Sequence, residues 1–228
     1  MEVLYFLKER TKFIRRFYEG AGESFSRTIR QIEAEEPPFD EPPYSEEGEP
    51  PFMEEWMDAT MALEMLGRTC ISMLSASLQL YFKTWERELG INCWEPGERE
   101  KAFKNGFVQG YRVCFGSMLN ISWCECPVNF DILEDVALAR NRDQHPEHIS
   151  TMSVNFVQQK KQADRLPFFI SDAERKMFSD PDMTGISWMR PSVHVSPESL
   201  VIAIEQVEAL GEWLEERMFD ARYPARRR

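Results

Sequence analysis

Three neighbouring side chains, Arg140, Asn141 and His145, combine residue types that can work on a phosphodiester. A guanidinium grips phosphate oxygens two at a time and keeps its charge throughout the physiological range. An imidazole titrates near neutrality, so it can take or give a proton. Together they suit metal-independent cleavage of RNA. That reaction needs a group to take the 2′-hydroxyl proton, a group to protonate the leaving oxygen, and positive charge on the phosphate. The chain holds only three histidines, so one placed beside Arg140 and Arg142 carries weight.

The element that must position them is a helix running from Asp131 to Pro146. Ile132, Leu133, Val136 and Leu138 supply its buried stripe, because apolar residues three and four apart share a face. Asn141 and His145, four apart, stack on one side. Pro146 stops the helix, since the residue before a proline is pushed out of the helical region. His145 is thereby set at a helix C-terminus, where unpaired carbonyls attract a cationic imidazole. The bland alternative is a C-capping histidine with Arg142 and Asp143 solvated on the outside.

An arginine followed by a polar residue, three more residues and a histidine, near a helix end in a helical chain, resembles the HEPN superfamily. The resemblance covers Met53 to Asp220 and includes a further amphipathic helix at Pro197–Arg217. It implies an all-α, HEPN-like helical bundle and a metal-independent endoribonuclease without a cofactor. It also implies a toxin or effector of a defence or toxin–antitoxin system. In such proteins the motifs of two protomers converge across a dimer interface. Carried over by position, Arg140 would orient and stabilise the phosphate, His145 would move the proton, and Asn141 would position His145. The implied partners are RNA, a second copy of the chain, and an antitoxin or regulatory protein. Glu147 departs from the pattern, because toxins neutralised by a nucleotidyltransferase have a tyrosine two places after the histidine. A carboxylate there is unhelpful to phosphate unless it pairs with Arg142. Some members are catalytically silent modules for dimerisation or for partner or nucleotide binding, which is the second reading.

A third reading claims the same histidine. Cys124-x-Cys126 and His145-x-x-His148 are ligand types for a structural tetrahedral zinc site. Both internal spacings are one residue tighter than usual, and Pro127 and Pro146 restrict the loops.

The net charge of −12 argues at first against nucleic acid, whose binding is dominated by phosphate neutralisation. Its distribution matters more than its sum. Glu33 to Asp58 holds 11 of the 39 acidic residues and none of the 27 basic ones, leaving the remainder nearly balanced. An RNA site on that remainder is therefore neither excluded nor favoured. No stretch is apolar enough for a membrane span, and the N-terminal apolar run is too short for a signal peptide. An odd count of five cysteines, two within helical patterns (Cys70 and Cys114), points to reduced thiols in a cytoplasmic protein.

The chain divides into a helical arm at 1–36, an acidic proline-rich linker at 37–52, a HEPN-like helical domain at 53–220 and a basic tail at 221–228. In the arm the spacing predicts two helices, the first closed by Gly20–Gly22 and the second capped by Ser24. Six prolines between Glu35 and Pro51 preclude regular structure there. Phe39, Tyr44 and Phe52 are spaced as handles by which this strap could lie on the body near the motif; a solvated loop is the alternative. Met53–Leu89 reads as a central buried helix closed by Gly90, and Glu98–Leu119 as the next. Val154–Ala163 suits a short helix, and Ser171–Glu174 has the form of a capping box. Trp188–Val195 suits a short extended segment, and Ser196-Pro197 opens the last long helix.

Overall fold

From Met53 to Glu88 no proline interrupts the chain, and apolar residues fall nearly all round the helical wheel, so this stretch must be a helix covered on several sides. In the computed structural model, which describes residues 2–41, 50–90, 97–145, 154–156, 165–180 and 190–223, it is the central element. The chain is all-α, with seven helices among the described residues: α1 Val3–Glu33, α2 Met53–Glu88, α3 Glu98–Phe103, α4 Phe107–Leu119, α5 Phe130–Gln144, α6 Asp172–Ser179 and α7 Pro197–Arg222. α2 packs against α1, α4, α5 and α7. Ile71, Leu74, Leu78, Phe82 and Trp85 of α2 are essentially sealed from water; each such side chain stabilises the fold by about 1.5–3 kcal/mol. Phe82 lies 4.9 Å from Tyr111 and 5.9 Å from Phe115 by ring centroid, which locks α4 onto α2.

The expected pair of N-terminal helices is one continuous helix. Gly20 and Gly22 lie inside α1 and do not end it. A Cβ on Gly22 would sit 3.3 Å from Leu63 Cδ2 and 3.4 Å from Leu66 Cδ2. This glycine therefore serves a close approach of α1 to α2, a role that local sequence cannot distinguish from helix termination. Val3, Leu7 and Ile14 of α1 belong to the shared core. Buried Thr11 donates to the Lys8 carbonyl and to Glu208 of α7.

The stretch expected as one helix from Glu98 to Leu119 is two. Gly106, at φ +100°, breaks it in a backbone region that only glycine enters freely. α5 starts one residue earlier than expected, capped by the Asn129 side chain on the Asp131 N–H at 3.0 Å. Ile132, Leu133 and Val136 are buried as expected, whereas Leu138 is only half-buried.

The caps at Ser171 and Ser196 form as the residues predict, accepting from the N–H of Glu174 at 3.2 Å and of Ser199 at 3.1 Å. The extended segment before α7 makes one antiparallel bridge, Asn155 to Ser192, the single such bridge among the described residues. Residues 154–156, the start of the expected helix at Val154–Ala163, are extended and not helical. The remainder of that stretch, and Trp188, fall outside the described residues.

The ends of the acidic strap close on each other. Phe39 and Phe52 meet edge to face at 5.0 Å, and the Trp56 indole N–H donates to Glu33 at 3.1 Å. Two of the three aromatic handles thus pin the tip of the α1–α2 hairpin; Tyr44 lies outside the described residues.

Candidate functional site

α5 presents the three motif residues differently. Arg140 is half-buried, and its Nη1 donates to Asn141 Oδ1 at 3.2 Å. Its Nε is buried and has no hydrogen-bond partner among the described residues. Asn141 is exposed on the outer side of the helix. His145 is the C-cap residue, with its backbone N–H donating to the Arg142 carbonyl at 3.3 Å and its side chain exposed. The helix therefore does set His145 at its solvent end. The carbonyl of Asn141, however, serves Arg140, and no bond from Asn141 to His145 occurs among the described residues.

Asp143 corrects the picture of a solvated outer pair. It turns inward, accepting from Ser72 Oγ at 3.1 Å and lying 3.4 Å from Arg68 Nε. Arg68 is only 6% exposed and also faces Glu64. This contact docks the last turn of α5 on α2, so the backbone carrying His145 is held although its side chain has no partner among the described residues. Nothing local marked Asp143 for this role, because its partner lies 75 positions away in the chain.

The cysteines and the histidine of the zinc alternative are not brought together. Cys124 and Cys126 lie just before α5, where Trp123 packs edge-on against Phe130 at 5.6 Å. His145 lies at the other end of this 15-residue helix, roughly 22 Å away at 1.5 Å per residue. A tetrahedral zinc site needs all its ligands within about 2.3 Å of the ion. Burial also pushes the Cys126 thiol up, which disfavours the thiolate a metal requires. Among the described residues no three ligating side chains gather, and His148 lies outside them.

Sequence reasoning missed a cleft beside the motif. It measures about 290 Å³ and lies between the first turn of α4 and the outer face of α5. Asn105 and Gln109 line one side, Asp131, Glu134 and Asn141 the other, and Arg165 closes one end. Asn141 is thus shared between motif and cleft. Burial, reinforced by Asp131 and Asp135 and opposed by Arg112 and Arg165, holds the Glu134 carboxyl above the usual carboxylate range. Arg165 is not a free cation, because both its terminal nitrogens are committed to Asp135. No single local signal in the sequence could have found this site, since it joins three segments through tertiary packing.

Comparison with family models, with characterised proteins and with solved structures finds no match to this chain.

Proposed function

We propose that this chain is a metal-independent endoribonuclease of the HEPN type, the toxin or effector of a defence or toxin–antitoxin system acting in the cytoplasm. The observation that carries this reading is the placement of Arg140 and His145. They share the last turns of a helix anchored by one buried face, yet the imidazole stands in water with no partner among the described residues. That exposure leaves the imidazole accessible to a substrate.

In this reading RNA lies across the C-terminal end of α5. Arg140, braced by Asn141, holds a non-bridging phosphate oxygen. His145 takes the 2′-hydroxyl proton or protonates the departing 5′-oxygen. One histidine per chain provides half of that acid–base pair, and twofold symmetry in a homodimer provides the other. An antitoxin or regulatory protein would act by covering this helix end.

The second reading, a catalytically silent HEPN module for dimerisation or partner binding, draws on the buried Nε of Arg140 and on the link between Asn141 and Arg140. Both features turn the motif partly inward. Incubation of the protein with RNA in excess EDTA separates the two. Cleavage leaving 2′,3′-cyclic phosphate and 5′-hydroxyl ends is the expected outcome. Intact RNA together with unimpaired growth on overexpression would leave the silent module.

A further inference from the structure

The geometry points to the α4–α5 cleft as a guanine-binding subsite that fixes where RNA is cut; this rests on the ribonuclease reading and deepens it. A volume of about 290 Å³ lies at the small end of ligand pockets, enough for one base and too little for a stacked pair. The cleft joins the motif through Asn141, one helical turn before His145, a rise of about 6 Å. A base seated in it would therefore place its own 3′-phosphate toward the Arg140–His145 end.

The charge of the cleft selects a base over a phosphate. Asp131 and Glu134 face it, and the one cation on its lining, Arg165, is held by Asp135 at 2.7 and 2.9 Å. A phosphate entering there would meet unbalanced carboxylates. A base edge rich in N–H donors would meet acceptors. Glu134 makes no hydrogen bond among the described residues although half-buried, so its carboxylate is free to accept. On the α4 side of the cleft the helix starts at Phe107, and its N-cap residue Gly106 has no side chain to cap it. The first-turn N–H groups of Phe107, Val108 and Gln109 accordingly offer donors.

Uncapped amide donors at the start of α4 and a carboxylate of α5 line the same cleft, and that pairing matches one base. Guanine alone carries two adjacent donors, N1–H and the N2 amino group, that a single carboxylate accepts together, with the acceptor O6 beside them. Glu134 would take the two donors and the α4 amides would take O6. Adenine and cytosine each offer one amino donor beside a ring acceptor, which would face the carboxylate repulsively. Uracil offers a single donor flanked by two acceptors. Asn105 can adapt to the remaining edge of the ring, while Gln109 and Asn141, whose oxygens accept from Arg112 and Arg140 at 3.2 Å, keep their amide N–H groups for it.

The experiment titrates the full-length protein with guanosine, adenosine, cytidine and uridine, followed by calorimetry or by chemical-shift changes. Guanosine should bind at least about tenfold more tightly than the others, as one good bidentate contact discriminates. Glu134→Gln should lose at least about tenfold in guanosine affinity while keeping its helical circular dichroism. Gln109→Ala, at the half-buried α4 wall of the cleft, provides a second variant should the first fold poorly. Absence of guanosine binding, equal binding of adenosine, or unchanged affinity in both variants overturns the inference. Cleavage in EDTA with no excess of guanine 5′ to the cut also overturns it and leaves the ribonuclease reading standing. Guanosine binding that Glu134→Gln abolishes, without cleavage of any RNA, upholds the subsite and removes the ribonuclease reading.

Discussion

The carboxylate of Asp135, 1% exposed on α5, receives both terminal nitrogens of Arg165 at 2.7 and 2.9 Å and the Phe168 N–H at 2.8 Å. One buried acid thereby ties the irregular segment before α6 to the helix that carries the motif. The same guanidinium closes the cleft. Removing one partner of a buried pair costs about 3–5 kcal/mol, because the other is left uncompensated. Arg165 is partly exposed, so Arg165→Ala should fall near the lower end, about 3 kcal/mol by urea unfolding. Arg165→Lys should recover only part of it, since an ammonium cannot fork. A loss below about 1 kcal/mol would mean that buried Phe169 and Ile170 hold the segment unaided.

Gly67 of α2 meets the extended segment before α7 with no room to spare. A Cβ there would lie 2.9 Å from both Val195 Cβ and the Val195 carbonyl oxygen. Gly67→Ala improves helix propensity by about 1 kcal/mol yet should destabilise overall, because overpacking typically costs about 1–3 kcal/mol. Gly20→Ala, where a Cβ would meet nothing within 4 Å, should stabilise by up to about 1 kcal/mol. Opposite shifts in melting temperature are expected, and shifts of the same sign would contradict the packing described.

Glu134 sets a pH dependence whose sign is fixed by burial. Its folded carboxyl is held above the usual value of about 4.3, so the folded state keeps its proton longer than the unfolded chain. Between the two values the native state binds more protons, and stability falls as pH rises. Glu134→Gln removes this loss. The variant should gain on the wild type in denaturant stability as pH climbs from about 4 toward neutrality. A gap that stays constant with pH would show that the carboxyl is not desolvated.

The strap should not gate the site. Its described ends are pinned at the hairpin tip by Phe39 and Phe52, roughly 24 Å along α2 from Arg68 and the last turn of α5. Deleting residues 42–49 is therefore expected to leave RNA cleavage and its salt dependence unchanged. Faster cleavage in the deletion would restore a covering role.

What the sequence disclosed followed the range of the interaction. Ser171 with Glu174, Ser196 with Pro197 and the closing Gly90 act within a few residues, and all three were readable as caps or stops. The buried faces of α2, α5 and α7 follow from their periodicity. Gly22 lies inside α1 and Gly106 divides α3 from α4, because a glycine can serve a close approach, a break or a stop, and only its neighbours in space decide which. Nothing local marks Asp135, because Arg165, thirty positions later, supplies its counter-charge. The motif at Arg140, Asn141 and His145 was visible as a spacing. The cleft beside it was not, because its walls come from α4, α5 and the segment at Arg165.

The most direct test compares RNA cleavage rates in EDTA for the wild type and His145→Ala, with circular dichroism confirming the fold of both. His145 is exposed and its side chain makes no contact among the described residues that the fold depends on, so the variant should remain folded. The account predicts cleavage by the wild type and a loss of about 100-fold or more in the variant, the scale of a missing general acid or base. Equal rates in the two proteins, or intact RNA with both, would contradict it.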